Sequence, residues 1–137
     1  MRVLAIDYGR RRCGVAVTDI LQIAANPLPA VRTCDLEAFL IDYCRREPVE
    51  RILVGEPRQL NGEPSESMRY ITPFLNRLSK ILPNVPVEMV DERFTSVIAH
   101  REMIAGGFSK SERQRKGFAD EMAATIILTT WLDSPHI

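Results

Sequence analysis

The chain has 137 residues, 45% hydrophobic and 26% charged, which fits one compact domain of roughly 100–150 residues and excludes a disordered or fibrous chain. Eighteen basic and eighteen acidic residues give a formal net charge of zero, so any sign of a nucleic-acid partner must be local. Three cysteines, Cys13, Cys34 and Cys44, show no Cys-x-x-Cys spacing, which argues against a disulfide framework and a thiolate zinc site and leaves free, mostly structural thiols.

The chain opens on Met1-Arg2 followed by the short apolar run Val3-Leu4-Ala5-Ile6 and then Asp7. A charge and an acid bracketing so short a run are neither a signal peptide nor a membrane span, so a cytoplasmic protein without a membrane partner is expected. The same run suits a central strand buried on both faces, with Asp7 at its C-terminal end. Tyr8 to Arg12 reads as a turn, and Cys13 to Thr18 as a strand returning in a hairpin. A third strand is expected over Leu28 to Thr33. Asp35 can cap a helix through about Arg46, where Leu36, Phe39, Leu40 and Cys44 form one apolar stripe.

Arg51 to Gly55 forms the next strand, and Glu56 to Pro64 carries enough proline, glycine and asparagine to be a loop. Ser65 can start a helix toward Leu82. Val87 to Val90 forms a strand that ends in Asp91-Glu92-Arg93, followed by a helix capped by Thr95 or Ser96 and stopped by Gly106-Gly107. The last helix spans about Gly117 to Leu132. The order β-β-β-α-β-α-β-α-α implies a mixed sheet covered by helices, without repeats or linkers.

In open α/β sheets the ligand site lies beyond the carboxyl ends of the strands, where Asp7 and Glu92 both fall, on strands that could lie side by side. On the last helix, ~100° per residue aligns Asp120 with Ala124, Ile127 and Trp131, at the margin of the apolar face. Glu121 falls outside the main arc of Ala119, Met122, Ala123, Ile126, Ile127 and Trp131. An acid that merely favours the positive end of the helix dipole describes Glu121 better than Asp120. Asp7, Glu92 and Asp120 would make an oxygen-rich site suited to Mg²⁺ or Mn²⁺. Zinc is disfavoured, since His100 and His136 are the only histidines. Two metals about 3.5–4 Å apart would activate water and stabilise a leaving oxygen in phosphodiester cleavage.

With these pieces in place, the sequence resembles the YqgF family, also called RuvX, over nearly its whole length. Asp7-Tyr8-Gly9 with Arg12, Gly14, Val15 and Ala16 resembles the opening hairpin of that family. Val54-Gly55 with Pro57 and Gly62 resembles its Val-Gly-x-Pro loop. Asp91-Glu92-Arg93 with Thr95, and later Asp120, Ala123 and Ala124, resemble its two remaining motifs. The resemblance implies an RNase H-like mixed five-stranded sheet flanked by helices, a single domain over residues 1–137, and a hydrolase active as a pre-16S rRNA nuclease or a Holliday junction resolvase. It also implies that Asp7, Glu92 and Asp120 are the catalytic and metal-binding acids, and that Asp91 is structural.

Glu56 stands where the family usually has an apolar residue. It either adds a fourth carboxylate or faces solvent; if it enters the site it either tightens metal binding or repels phosphate. The basic residues then gain a reason. Arg10, Arg11 and Arg12 would border the first acid, and Lys110, Arg113, Arg115 and Lys116 immediately precede Asp120, where phosphate contacts would position a backbone without reading sequence. Arg93 would stabilise charge on the transferring phosphate or pair with an acid. Tyr8 is the one aromatic expected near the site, and a packed core tyrosine is its plainer reading.

Three functions are consistent with these residues. The first is a metal-dependent nuclease acting on structured RNA, with pre-rRNA favoured by the resemblance, or on branched DNA, in ribosome biogenesis or recombination respectively. The chain would be a monomer or a homodimer, and a C2 dimer would favour the resolvase version. The second is a ribosome-assembly or nucleic-acid-binding factor without catalysis. The third, an actin-like sugar kinase or ATPase, is disfavoured because such enzymes enclose nucleotide between two domains of this kind.

Overall fold

Alternation along the central strands decides which side chains meet which helix. A computed structural model describes residues 1–57, 66–91, 111 and 114–133. Strand β1 (Arg2–Asp7) and strand β2 (Arg12–Thr18) carry the unbroken apolar runs, and Val3, Leu4, Ala5 and Ile6 are all fully buried. That is the requirement of a strand covered on both faces. Strand β3 (Ala25–Arg32) is largely exposed and holds Pro27 and Pro29; a residue with no N–H to give is tolerated at a sheet edge. It starts earlier than expected and ends before Thr33, which belongs to a short 3₁₀ turn, Thr33–Asp35.

That turn feeds directly into helix α1 (Leu36–Arg46), with the Leu36 N–H bonded to the Thr33 carbonyl. Asp35 therefore stands before α1 in helical conformation and makes no capping bond with its side chain, against expectation. Strand β4 (Val49–Glu56) extends through Glu56, so that residue ends a strand rather than opening a loop. Helix α2 (Met68–Ile81) and strand β5 (Val87–Asp91) follow. Ser65, the helix expected between Thr95 or Ser96 and Gly106-Gly107, and the residues Glu92, Arg93, Lys110 and Arg113 lie outside the described residues. The third described helix, α3, is Phe118–Asp133.

The sheet has five strands in the order β3-β2-β1-β4-β5. β1 pairs antiparallel with β2, and β2 with β3; β1 pairs parallel with β4, and β4 with β5. The strand before Asp91-Glu92 is therefore not the neighbour of β1, because β4 lies between them. On one face Leu4, Ile6, Val15, Ile52 and Val54 pack with Leu36 and Leu40 of α1 and Phe74 and Leu78 of α2. On the other, Val3, Ala5, Ala16 and Leu53 pack with Ala124, Ile127 and Leu128 of α3. The period of two then assigns Asp7 to the α3 face, in step with Val3 and Ala5.

Candidate functional site

Asp7 ends β1 opposite Gly14 of β2 in the antiparallel register. Directly opposed residues share a face of the sheet, so Gly14 also addresses α3. A Cβ at Gly14 would lie 1.8 Å from the Asp120 carbonyl oxygen, closer than any real contact, so the first turn of α3 sits on the bare backbone of β2. Glycine at this position is what permits the approach. The consequence is that Asp7, opposite Gly14 in the sheet, and the Asp120 backbone, laid on Gly14, are brought to one end of the sheet although far apart in sequence.

Asp120 is half-buried, and its Oδ2 lies 3.6 Å from Nε of Arg12. Burial pushes its carboxyl pKa up, an effect that the Arg12 guanidinium partly offsets and the neighbouring Glu121 reinforces. At 3.6 Å the pair is a charge contact rather than a short hydrogen bond. A carboxylate that is partly desolvated and only partly compensated by a cation suits a hard divalent ion, which takes oxygen ligands and replaces the lost solvation.

Glu121 reverses its expected place. It is buried rather than outward-facing: Oε2 accepts the Ala30 N–H of β3 at 2.8 Å, and Oε1 accepts Nη2 of Arg115 at 2.7 Å. Phe118, Glu121, Ala124, Ile126, Ile127 and Leu128 of α3 are buried, and Trp131 packs with Ala124 and Ile127, so the buried face keeps Ile126, Ile127 and Trp131 of the expected arc but extends beyond it to Phe118 and Glu121. From Met122 to Leu128 only Thr125 is polar, which leaves little contrast to set the phase of the helix. Glu121 is thus a structural anchor that ties α3 to the edge strand and to the segment before it.

The arginine turn is rigidly held. A Cβ at Gly9 would lie 2.3 Å from the Arg12 carbonyl oxygen, so the turn closes tightly on itself. Thr33 donates its hydroxyl to the Gly9 carbonyl at 2.7 Å and its N–H to the Arg11 carbonyl at 2.9 Å. Cys13 is buried beside it, and burial pushes its thiol pKa up. Tyr8 is a core tyrosine, stacked on Phe74 with ring centroids 4.7 Å apart.

A groove of about 930 Å³ runs past this turn, lined among others by Arg10, Arg11, Arg12, Arg32, Arg115 and Lys116. A second cleft, lined by Gly9, Arg10, Arg11, Arg12 and Asp120, shares its three arginines with this groove. Arg32 is the residue that sequence reasoning missed. It stands directly opposite Arg12 in the β2–β3 register, and like charges directly opposed across strands are unfavourable unless an anion relieves them. Arg115, in contrast, is engaged with Glu121.

Alternation also sorts the other acids. Glu56 keeps step with Ile52 and Val54, which pack on the α1–α2 face, whereas Asp7 keeps step with Val3 and Ala5 on the α3 face. Asp91 keeps step with Val87 and Met89 on the α1–α2 face, whereas Val90 packs toward α3. Among the described residues no three acids, histidines or cysteines group closely enough to hold a metal; Glu92, the third expected ligand, lies outside them, as does Arg93. Among the described residues no helix is long and apolar enough to cross a membrane.

The family model described as RuvX, Holliday junction resolvase, matches residues 1–134. A protein of Phocaeicola vulgatus named "Putative pre-16S rRNA nuclease" is 57% identical over 133 residues, covering 97% of this chain and 96% of its own. A protein of the same name from Porphyromonas gingivalis is 51% identical over 134 residues, covering 98% and 97%. Among solved structures, RuvC of T. thermophilus in complex with a Holliday junction substrate superposes with a TM-score of 0.57 at 19% identity, covering 97% of this chain and 96% of that one. The fowlpox virus Holliday junction resolvase gives 0.53 at 12% identity, covering 98% and 100%. These likenesses identify the five-stranded sheet and its helices as an RNase H-like fold, and the family match and the close relatives agree over the same span. The chain belongs to the RuvX family, also called YqgF.

Proposed function

We propose that this chain is a divalent-metal-dependent endonuclease that hydrolyses phosphodiester bonds in structured nucleic acid, with precursor 16S rRNA as substrate. Residues 1–137 form its single catalytic domain, acting in the cytoplasm. The observation that carries the reading is that Gly14 has Asp7 opposite it in the sheet and the Asp120 backbone laid on it, with Asp120 lining a cleft beside Arg10, Arg11 and Arg12. The names of the close relatives favour rRNA over branched DNA.

Asp7 and Asp120 would hold Mg²⁺ or Mn²⁺ together with Glu92; Asp91 belongs to the opposite face by alternation, which leaves Glu92 as the acid of that pair for the site. The oxygen donors suit either ion. A divalent cation, when bound, supplies Lewis-acid stabilisation of charge developing on the transferring phosphate. Arg12, beside Asp120, balances the charge of the acids and offers its guanidinium to a phosphate oxygen. Arg10, Arg11, Arg32 and Lys116 hold the flanking backbone, and the fixed Gly9 turn aims the first two without further ordering.

The test is incubation of labelled precursor 16S rRNA and of a four-way DNA junction with the protein and Mg²⁺ or Mn²⁺. The rRNA precursor is expected to be cut at discrete positions, and the junction to be bound without cutting. Cutting of the junction alone would transfer the reading to a resolvase. Binding of the precursor without cutting would transfer it to an assembly factor.

A further inference from the structure

The start of α2 places two residues that the nuclease reading does not use, Arg69 and Tyr70, beside one that it does, Arg10. The Arg10 guanidinium lies 4.6 Å from the centroid of the Tyr70 ring, and that of Arg69 lies 5.2 Å from it. Arg69 also donates from Nη2 to the Tyr70 hydroxyl at 3.2 Å. Both arginines are exposed, while Tyr70 is partly buried. One helical turn further along α2, Phe74 is fully buried and carries the stacked ring of Tyr8. Tyr70 and Phe74 therefore form an aromatic stripe on α2 against which the chain leaving Asp7 is laid, first through Tyr8 and then through Arg10.

Chemically, an exposed guanidinium backed by an aromatic ring is a flat, preordered cationic surface. Guanidinium planes and aromatic rings are what unpaired nucleobases stack on, in a way that tolerates any base. The backing ring also reduces the side-chain freedom that binding would otherwise remove. A paired duplex hides its base faces and cannot use such a surface; a frayed or single-stranded nucleotide can. Arg10 links this surface to the acids, since it also lines the cleft that contains Asp120.

We propose that Arg10, Tyr70 and Arg69 form a stacking site for an unpaired nucleobase, so that the strand entering the Asp7–Asp120 site is single-stranded on its α2 side. This rests on the nuclease reading and specifies the form of its substrate. Because the stacking surface reads no sugar, RNA and DNA tails serve alike.

The experiment is fluorescence anisotropy in EDTA, which prevents cleavage, on a short duplex with a single-stranded tail, the same duplex blunt-ended, and the tailed duplex with abasic tail residues. It is run with RNA and with DNA tails. Wild type is expected to bind the tailed duplex about ten-fold more tightly than the abasic-tailed one. Tyr70→Ala should remove that difference while leaving blunt-duplex binding unchanged, and Tyr70→Phe, which keeps the ring, should retain it. The abasic comparison needs no variant, so misfolding of Tyr70→Ala cannot rescue or sink the proposal. Equal binding of wild type to intact and abasic tails overturns the stacking site and leaves the nuclease reading standing. Failure of wild type to bind any of the three duplexes overturns the stacking site, while the nuclease reading is decided separately by cleavage with Mg²⁺ or Mn²⁺ present.

Discussion

Asp19 shows how one carboxylate orders a loop in this protein. Its Oδ1 accepts the N–H groups of Ile23 at 2.8 Å and Ala24 at 2.9 Å, and its Oδ2 accepts that of Leu21 at 3.1 Å, pinning the connection between β2 and β3. These N–H groups, that of Ala24 foremost, hold the Asp19 carboxyl below the usual carboxylate range. A folded-state pKa below the unfolded value contributes stability that is present above the unfolded pKa and is lost as pH falls through the folded one. Asp19→Ala is therefore expected to lower Tm at neutral pH, and the gap between variant and wild type should narrow as pH falls through and below the ordinary carboxylate range. Thermal melts at a series of pH values check this; a gap independent of pH would assign the loss to something other than the charge. Other residues differ in how far sequence discloses them. The place of Asp7 at the end of a buried strand is legible because a fully apolar run precedes it. Arg32 is not, because its meaning lies in facing Arg12 across the sheet, and only the register of the hairpin reveals that.

At the scale of elements, α3 and β2 meet without side-chain cushioning at Gly14. Gly14→Ala places a methyl group 1.8 Å from the Asp120 carbonyl oxygen, and backbone on both sides leaves no flexible side chain to yield. The expected cost is about 1–3 kcal/mol, as for an overpacked interior. Because relief requires α3 to move, Asp120 moves with it. Catalytic rate should fall further than the loss of folded protein explains, which urea denaturation and a cleavage assay on the same samples would separate. Unchanged activity from folded Gly14→Ala would show that the distance between the two acids is not critical. The strands were legible because four of the five carry short β-branched or apolar runs between turn residues. The face of α3 was legible only in part: Ala124, Ile127 and Trp131 share a cluster as their spacing implies, but a helix with so little polar contrast does not show how far its buried face extends. So Glu121, buried against Ala30 and Arg115, was read as an outward-facing acid.

Taken whole, the molecule divides its sheet between two tasks. The face toward α1 and α2 holds the larger apolar cluster, with Phe74, Leu40 and Leu78 fully buried, while the face toward α3 ends in acids. The antiparallel half, β3-β2-β1, supplies the arginines; the parallel half, β1-β4-β5, directs its carboxyl ends toward the same edge of the sheet. The sequence suggested the mixed sheet through its run of three strands followed by alternating helices and strands, but not that β4 separates β1 from β5. Strand order depends on how crossovers pack, which local pattern does not encode. The central proposal is that Asp7 and Asp120 belong to one hydrolytic site. The direct measurement is the rate of precursor 16S rRNA cleavage against Mn²⁺ concentration for wild type, Asp7→Asn and Asp120→Asn, with RNA binding and thermal melts alongside. Wild-type cleavage is predicted to rise with metal, and each variant to remain more than about 100-fold slower at saturating metal while binding RNA normally. Cleavage by either folded variant at the wild-type rate would contradict the account.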